Sequence, residues 1–416
     1  MEDVAHRSVL KNRNYAVLLS GQVVSQFGNA FYPLAIYWYT FSLTGSRVDL
    51  GYLATLISLT ALVSMLAGVF VDRWDRRRTM IWSDVARTVF AGALALLAGL
   101  GHLGLVAIFV FAVAIGLVGN LFGPAEMSLL PEIVGMEELG AATGLNQGAS
   151  AGAMLVGTSL GGFLMGIFGP ALLLGADALT FVVSFVSVAI LRLPRRATRP
   201  TSMADASAGS EKGFLRELSA GMKFVFGIPF FRRLVLAGAL MNFAFMPLNV
   251  LDVVWVREVL HQGAFAYGML GAAITIGVIA GSVLAGALMR RLPPVPLMTG
   301  SVMLAALAFV AFSQLPYLVP DLLALLLLGV GVGVVNPVSQ TLFQRAIPQE
   351  MMGRAVGALM STVQVASPLG AMLAGFLASA MPLSTVFVLA GALMLVPVGL
   401  VVRMPKPPEH AQAVAG

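Results

Sequence analysis

The stretch that decides the fold is Gly68-Val-Phe-Val-Asp72-Arg73-Trp74-Asp75-Arg76-Arg77-Arg78-Thr79. It carries six charges within seven residues and lies between two long apolar runs. Apolar segments of about 20 residues are long enough to cross the hydrocarbon core of a bilayer. The stretch therefore predicts a tight charged hairpin between two membrane-spanning helices. Because short loops rich in Lys and Arg remain in the cytoplasm, the four arginines assign this hairpin to the cytoplasmic face.

The composition of the whole chain is that of a membrane protein. Of its 416 residues, 58% are hydrophobic and only 11% are charged, and the mean hydropathy is +0.91. A soluble domain has roughly 25% charged residues, so most of this chain is expected to lie in lipid. The absence of cysteine excludes disulfides, thiolate metal sites and thiol catalysis. No catalytic motif and no phosphate-binding loop is present, so we expect no enzymatic activity, no catalytic residues, no cofactor and no metal site.

Twelve apolar spans follow one another along the chain, and short connections rich in glycine and proline separate them. They lie roughly at 14–42, 49–71, 79–100, 103–123, 141–167, 170–192, 232–258, 266–289, 295–314, 319–340, 354–380 and 382–403. The one long connection, from Pro194 to about Gly227, contains a Ser/Ala/Gly-rich segment typical of flexible linkers. The pattern predicts an all-α membrane protein whose parts are an N-terminal six-helix bundle at 1–193, a cytoplasmic linker at 194–227, a C-terminal six-helix bundle at 228–404 and a flexible tail at 405–416.

Lysine and arginine are distributed asymmetrically about these spans. With a cytoplasmic N-terminus, Arg47 and Arg257 fall on the outer side and Arg87 lies within span 3, while the rest of the 25 basic residues lie on or near the inner face. This asymmetry predicts a multi-pass protein of the inner (cytoplasmic) membrane with both termini in the cytoplasm. Orientation and contact with anionic lipid headgroups account for the net charge of +6, so nucleic acid is not an expected partner.

The two halves of the chain show an internal repeat at an offset of 213 residues. This offset sets Pro124 on Pro337 and continues without a gap to Gly162-Phe163-Leu164 on Gly375-Phe376-Leu377. Parallel halves of this kind, with a substrate site between them near the middle of the membrane, are one of the ways in which transporters are built. Ala285 stands in the second half where Asp72 stands in the first, so the charged hairpin is strong only in the first half.

The pattern Gly-x-x-x-Asp-Arg-x-x-Arg-Arg of the hairpin resembles the loop between helices 2 and 3 of the major facilitator superfamily. Three further stretches look like the macrolide-efflux branch of its drug:proton antiporters, namely Gly21-Gln22-Val23-Val24-Ser25-Gln26-Phe27-Gly28, Leu129-Leu130-Pro131-Glu132-Ile133-Val134 and Asp177-Ala178-Leu179-Thr180-Phe181. The resemblance covers essentially the whole chain. It implies the major facilitator fold, with twelve transmembrane helices in two pseudo-symmetric six-helix bundles that rock to give alternating access.

The resemblance also implies that the hairpin latches the two halves and stabilises the outward-open state. The residues of this gating latch are Gly68, Asp72, Arg73, Arg76 and Arg77, together with Asp84 and Arg87 of span 3. Asp84 and Arg87 are three residues apart on one helix and can neutralise each other, which favours a structural or gating role over substrate contact. The alternative is that the hairpin is a basic loop that sets the topology and does nothing further.

Polar side chains in the apolar spans are the candidates for a substrate cavity. Gln22, Gln26 and Asn29 are spaced by four and three residues, so they share one face of span 1. Polar side chains of membrane helices normally face the protein interior. We expect a cavity lined by spans 1, 4, 7 and 10 that includes Gln22, Gln26, Asn29, Asn120, Asn249 and Asn336. The alternative is that these amides form interhelical hydrogen bonds that only hold the bundle together.

Two carboxyl groups are candidates for proton coupling. Asp177 lies in span 6 without a basic residue nearby in the sequence, and such a carboxyl in apolar surroundings can bind and release a proton. Asp252 of span 7 is the second candidate, although it can pair with Arg257. Either carboxyl can instead serve only to hold neighbouring helices together. Glu126 follows Gly123-Pro124 at the inner end of span 4, where a solvated helix end is favoured over a coupling site.

These observations predict a secondary active transporter that exports amphipathic or hydrophobic, macrolide-like drugs, driven by proton entry. Its expected partners are the small-molecule substrate, protons and the lipid bilayer, and we expect a monomer. A lysolipid or lipid flippase and a siderophore exporter of the same fold are alternatives. A receptor without transport activity would need an ordered soluble domain, and the linker composition of the long connection does not predict one.

Overall fold

The computed structural model describes residues 9–71, 74–192, 211–347 and 351–405 of the chain. Within these ranges the regular structure is helical, and no strand is present. Six helices cover the first six predicted spans. Their bounds are α1 Arg13–Thr44, α2 Arg47–Val71, α3 Arg76–Gly99, α4 Leu105–Val134, α5 Leu139–Phe168 and α6 Pro170–Ala189.

The described residues from 211 onward begin with a helix that precedes span 7. The bounds are α7 Glu211–Gly227, α8 Pro229–Val254, α9 Ala264–Leu288, α10 Pro294–Phe312, α11 Leu318–Ala346, α12 Met352–Ala380, α13 Leu383–Leu393 and α14 Leu395–Val402. One turn of π-helix, Trp255–Val259, extends α8, and α13 and α14 together cover span 12. Ten of the spans in the described ranges are long and apolar enough to cross a membrane. The first two helices are 32 and 25 residues long, which is also sufficient to cross a bilayer.

The helix bounds of the two halves correspond at the offset found in the sequence. Adding 213 to the bounds of α4 gives 318–347, and α11 spans Leu318–Ala346. The same offset moves the bounds of α5 to 352–381, which is the position of α12. It moves the bounds of α6 to 383–402, which α13 and α14 together cover. This correspondence confirms that the chain consists of two similar sets of six spans, as the major facilitator fold requires.

Two helices run further than the sequence pattern predicts. We expected span 4 to end near residue 123 and span 10 near residue 340, but α4 continues through Pro124 and Pro131 to Val134, and α11 continues through Pro337 to Ala346. Proline removes one backbone hydrogen bond, and neighbouring helices in a membrane protein compensate for this loss. Proline at these positions therefore does not end the helix.

The last part of the predicted linker is also helical. Glu211–Gly227 forms the 17-residue helix α7, which packs against α12. A Cβ atom at Gly221 would lie closer than 3.0 Å to the carbonyl oxygen of Arg354, so glycine permits the close approach of the two helices. The ring of Phe224 lies 5.5 Å from the ring of Phe231 and extends this contact to α8.

The described residues divide into two compact units that differ from the two sets of six spans. The described residues within 1–194 and 250–272 form the first unit, and those within 195–249 and 273–416 form the second. Residues 250–272 join the first unit through side chains of α1. Arg257 donates a hydrogen bond of 2.7 Å to Ser42 Oγ, and its guanidinium carbon lies 5.2 Å from the ring centroid of Trp38. The ring of Trp38 in turn stacks on Tyr267.

In the first unit, α1 packs closely along α6 because it carries glycine at the points of contact. A Cβ atom at Gly21 would lie closer than 3.0 Å to Ser187 Oγ, and a Cβ atom at Gly28 would lie closer than 3.0 Å to Thr180 Oγ1. Small residues allow the backbones of membrane helices to approach in this way. This packing brings the polar face of α1 next to Asp177.

Candidate functional site

A cavity of about 350 Å³ lies within the first unit, between α1, α2, α3, α4 and α6. Its apolar lining includes Ile57, Ile115, Phe122 and Phe181. Its polar lining consists of Gln22, Ser25, Gln26, Asn29, Tyr32, Arg87, Asn120, Glu126 and Asp177. The volume lies at the lower end of the range of about 300–1,000 Å³ that is usual for small-molecule pockets.

The predicted amide face of α1 lies in this cavity. Asn29 Nδ2 donates a hydrogen bond of 3.0 Å to Gln26 Oε1. The Gln22 side chain is buried, and within the described ranges its Nε2 donor has no hydrogen-bond partner. An unsatisfied buried donor costs free energy, so a ligand or water that accepts from Gln22 would be stabilised here.

The other predicted cavity residues fall into two groups. Asn120 of α4 lines the same cavity, where its Nδ2 donates to Thr60 Oγ1 at 3.4 Å. Asn249 and Asn336 are exposed residues of α8 and α11 in the second unit and do not line this cavity. The structure thus brings together four of the six predicted amides, and the substrate-binding role of all six stays a prediction.

Asp177 is the most deeply buried polar group of the cavity. Its side chain is fully buried, and neither carboxyl oxygen has a hydrogen-bond partner within the described part of the chain. The other acidic group of the lining, Glu126, is partly exposed and accepts a hydrogen bond of 3.2 Å from Asn146 Nδ2. An isolated buried carboxylate is costly in apolar surroundings, so Asp177 needs either a proton or a cation.

Arg87 brings the only guanidinium group among the lining residues that the structure describes. Its guanidinium carbon lies 4.3 Å from the ring centroid of Phe181 and 4.9 Å from that of Phe122. It forms an ion pair with Asp84, as the spacing of the two residues predicts, and both side chains are buried. Asp84 Oδ2 also accepts a hydrogen bond of 2.7 Å from Ser184 Oγ. The pair is therefore neutral as a whole and is anchored to α6.

Two of the three hairpin arginines that the structure describes attach the start of α3 to neighbouring helices. Arg76 donates a hydrogen bond of 3.1 Å to the Ser128 carbonyl oxygen and pairs with Glu132, both on α4. Arg77 donates to the carbonyl oxygens of Val188 and Ala189 at the end of α6. Such basic side chains compensate the free carbonyl groups of a helix C-terminus.

The other predicted latch residues lie at or beyond the edge of the described ranges. Gly68 belongs to α2, while Asp72 and Arg73 lie outside the described residues. The role of the hairpin as a latch therefore stays a prediction.

Asp252 lies in the first unit but not among the lining residues of the cavity. It accepts hydrogen bonds from the backbone N–H of Val253, at 2.7 Å, and from the Tyr267 hydroxyl. The expected partner, Arg257, instead contacts Ser42 and Trp38. Asp252 thus differs from Asp177 because hydrogen bonds compensate its carboxyl group. No group of three or more His, Asp or Glu side chains in the described ranges could hold a metal ion.

Comparison with known protein families gives a match over most of the chain. The sequence model of the Major Facilitator Superfamily matches residues 18–371. Macrolide efflux protein A of Streptococcus pyogenes is 25% identical over 386 residues, which cover 92% of this chain and 93% of that protein. Multidrug efflux pump Tap of Mycobacterium tuberculosis (strain ATCC 25618 / H37Rv) is 28% identical over 410 residues, which cover 95% and 94%.

Solved structures share the fold at much lower sequence identity. The nucleoside transporter NupG is 12% identical, with a TM-score of 0.77 over 95% of this chain and 99% of that one. A D-xylose-proton symporter is also 12% identical, with a TM-score of 0.74 over 97% and 99%. At this level of identity the similarity establishes the fold and nothing about the substrate.

Proposed function

Because the chain belongs to the major facilitator superfamily, whose members are multi-pass membrane transporters and not enzymes, we propose that it exports amphipathic or hydrophobic, macrolide-like compounds. The similarity over nine-tenths of its length to proteins named as macrolide and multidrug efflux pumps supports this substrate class. We further propose that proton entry drives export and that the protein acts as a monomer in the inner membrane, with both termini in the cytoplasm.

The observation that carries the proposal is the mixed lining of the cavity. Four amide side chains face aromatic and aliphatic side chains across a space of about 350 Å³. Pockets for drug-sized molecules are mostly apolar and contain a few polar groups that fix orientation. The Nε2 donor of Gln22, which has no hydrogen-bond partner among the described residues, is one such group. Rocking of the two six-helix bundles would expose substrate-binding groups to each side of the membrane in turn.

Asp177 is the better of the two candidates for proton coupling. Hydrogen bonds to a carboxylate stabilise its charged form, and Asp252 has two of them while Asp177 has none within the described residues. The nearby cation Arg87 already pairs with Asp84. Uptake of a proton by Asp177 when the cavity is empty, and its release when a cationic amphipathic substrate enters, would couple the two fluxes.

Transport by purified protein in proteoliposomes tests the proposal. With an imposed pH gradient, we expect accumulation of macrolide-like and cationic amphipathic compounds, and collapse of the gradient should abolish it. Glu137→Gln, which changes an exposed carboxylate, is the control and should transport normally. Parallel assays of lysolipid redistribution and siderophore release separate the alternatives of the same fold. Transport of either of these instead of the drugs would contradict the proposal.

A further inference from the structure

The glycines of the first-helix stretch Gly21–Gly28 are spaced by seven residues, or about two helical turns, and thus lie on one face of α1. That face meets α6 at two places. Gly21 meets Ser187, and Gly28 meets Thr180 and Asp177. Ser187 and Thr180 are also seven residues apart, so the two helices keep the same register through both contacts.

The contact at Gly28 differs from the contact at Gly21 because it includes the Asp177 carboxyl group. A Cβ atom at residue 28 would lie closer than 3.0 Å to both Thr180 Oγ1 and Asp177 Oδ1, and it would lie 3.3 Å from the Asp177 Cα atom. Glycine is therefore the only residue at this position that leaves the Asp177 carboxyl group in its observed place. Thr180 has little freedom to move away, because its hydroxyl donates a hydrogen bond of 2.7 Å to the Asp177 carbonyl oxygen.

We propose that Gly28 is a positioning residue for Asp177. Because residue 28 has no side chain, its backbone packs directly against the carboxyl group and keeps that group on the cavity side. The same carboxyl lines the cavity, is fully buried and has no hydrogen-bond partner within the described ranges. Gly28 thus defines one side of the space that the carboxyl can occupy, while the cavity forms the other.

The charge of Asp177 also depends on the groups that face it from the packed helices. Tyr32 of α1 and Arg87 of α3 line the cavity with Asp177 and interact with its charge. Glu126 of α4 lines the same cavity, and Asp84 of α3 pairs with Arg87. A displacement of the carboxyl changes its distance from all of them. A methyl group at residue 28 should therefore alter how readily Asp177 exchanges its proton, even when the helices still pack.

Two alanine variants separate positioning from packing. Gly28→Ala introduces a methyl group against the carboxyl. Gly21→Ala is the matched control, because its methyl group would meet Ser187 Oγ and would lie 2.5 Å from Ser187 Cβ, without contact with Asp177. The control should disturb the packing of α1 on α6 at least as much, since a Cβ atom cannot rotate away.

The first readout does not depend on transport. Carbodiimide reacts with protonated carboxyl groups, and peptide mass spectrometry measures its reaction at Asp177 over a range of pH in purified protein. We expect Gly28→Ala to change this reaction severalfold relative to the natural sequence, and Gly21→Ala to leave it unchanged. Equal reaction in all three proteins would overturn the proposal. If Gly28→Ala does not fold, the double variant with Gly28→Ala and Thr180→Ala is used in its place. It removes the overlap with the Thr180 hydroxyl and retains the overlap with Asp177.

The second readout rests on the proposed function. If Asp177 is the proton carrier, the pH at half-maximal transport should shift by about 0.5 unit or more in Gly28→Ala, and not in Gly21→Ala. Normal transport by Asp177→Asn would refute the coupling role of Asp177 and would leave the carbodiimide result as the test of positioning. A wild-type pH profile in Gly28→Ala, together with inactive Asp177→Asn, would refute the positioning role alone.

Discussion

Asp177 combines two properties that rarely occur together in a stable helix bundle. It is fully buried, and within the described part of the chain its carboxyl oxygens have no hydrogen-bond partner. The buried carboxyl group of Asp84, by contrast, is paired and hydrogen-bonded, with Arg87 and Ser184 as its partners. Ionisable groups within membrane spans are rare and mark substrate pathways or proton relays.

Replacement of Asp177 by asparagine tests this role at the level of one atom. The amide has nearly the same shape but cannot exchange a proton at neutral pH, so we expect gradient-driven transport to fall to the level of protein-free liposomes. Binding of substrate to the purified variant should persist, because the amides that line the cavity are unchanged. Both are measured in the same preparation, by uptake and by equilibrium binding. Normal gradient-driven export by the variant would remove Asp177 from the mechanism.

The ion pair of Asp84 and Arg87 gives a prediction about stability. Arg87→Gln would leave the fully buried Asp84 with Ser184 as its remaining side-chain partner among the described residues. Loss of one member of a buried pair costs about 3–5 kcal/mol. We expect a lower unfolding temperature in detergent, and partial recovery when Asp84→Asn removes the uncompensated charge. Arg78→Gln, at an exposed position of α3, is the matched control. Equal unfolding temperatures for Arg87→Gln and Arg78→Gln would contradict the pair's structural role.

Among the helices, the pattern of the sequence predicted spans better than it predicted ends. Apolar length and glycine-rich connections predict every span, but they also predict that span 4 ends near residue 123, whereas α4 continues for eleven further residues to Val134. This error affected the site, because it assigned Glu126 to a solvated helix end. In the folded chain Glu126 lines the cavity on the same face of α4 as Gly119 and Gly123. The signal was present in their spacing of four and three residues.

Other parts of the site were beyond prediction because they depend on contacts between helices distant in sequence. The spacing of Gln22, Gln26 and Asn29 was sufficient to place them on one face, since that relation is local to one helix. By contrast, the ring contacts of Arg87 with Phe122 and Phe181 join α3 to α4 and α6. No local period of the sequence contains that information.

The contact between α5 and α9 gives a prediction about helix packing. A Cβ atom at Gly162 would lie 2.5 Å from the Gly268 Cα atom, so Gly162→Ala must separate the two backbones. Because the chain has no cysteine, the buried Ala266 can be replaced by a single cysteine as a reporter. We expect severalfold faster thiol labelling in Gly162→Ala. Gly166→Ala, whose Cβ atom would meet only the Phe265 nitrogen at 3.9 Å, should not change the rate. Equal rates in all variants would show that the contact does not limit access.

For the whole molecule, the repeat at 213 residues makes the differences between the halves informative. The two sets of helices correspond in their bounds, yet Ala285 occupies the position that is Asp72 in the first half. A feature present in only one half cannot be required by the shared architecture. We therefore expect the charged hairpin to act on the equilibrium between conformations and not on folding.

Asp72→Asn tests this expectation directly. If the hairpin stabilises the outward-open state, loss of the charge should shift the population toward inward-open, and a thiol reagent should label the Ala266→Cys reporter more slowly. The unfolding temperature should change little, because the fold does not depend on the latch.

Asp75→Asn is the matched control. Asp75 caps α3 by accepting a hydrogen bond of 2.8 Å from the Arg78 N–H, and asparagine caps helices as well as aspartate does. It removes one negative charge from the same hairpin and should leave labelling unchanged. Unchanged labelling in Asp72→Asn as well would refute the latch and leave the hairpin as a loop that sets topology.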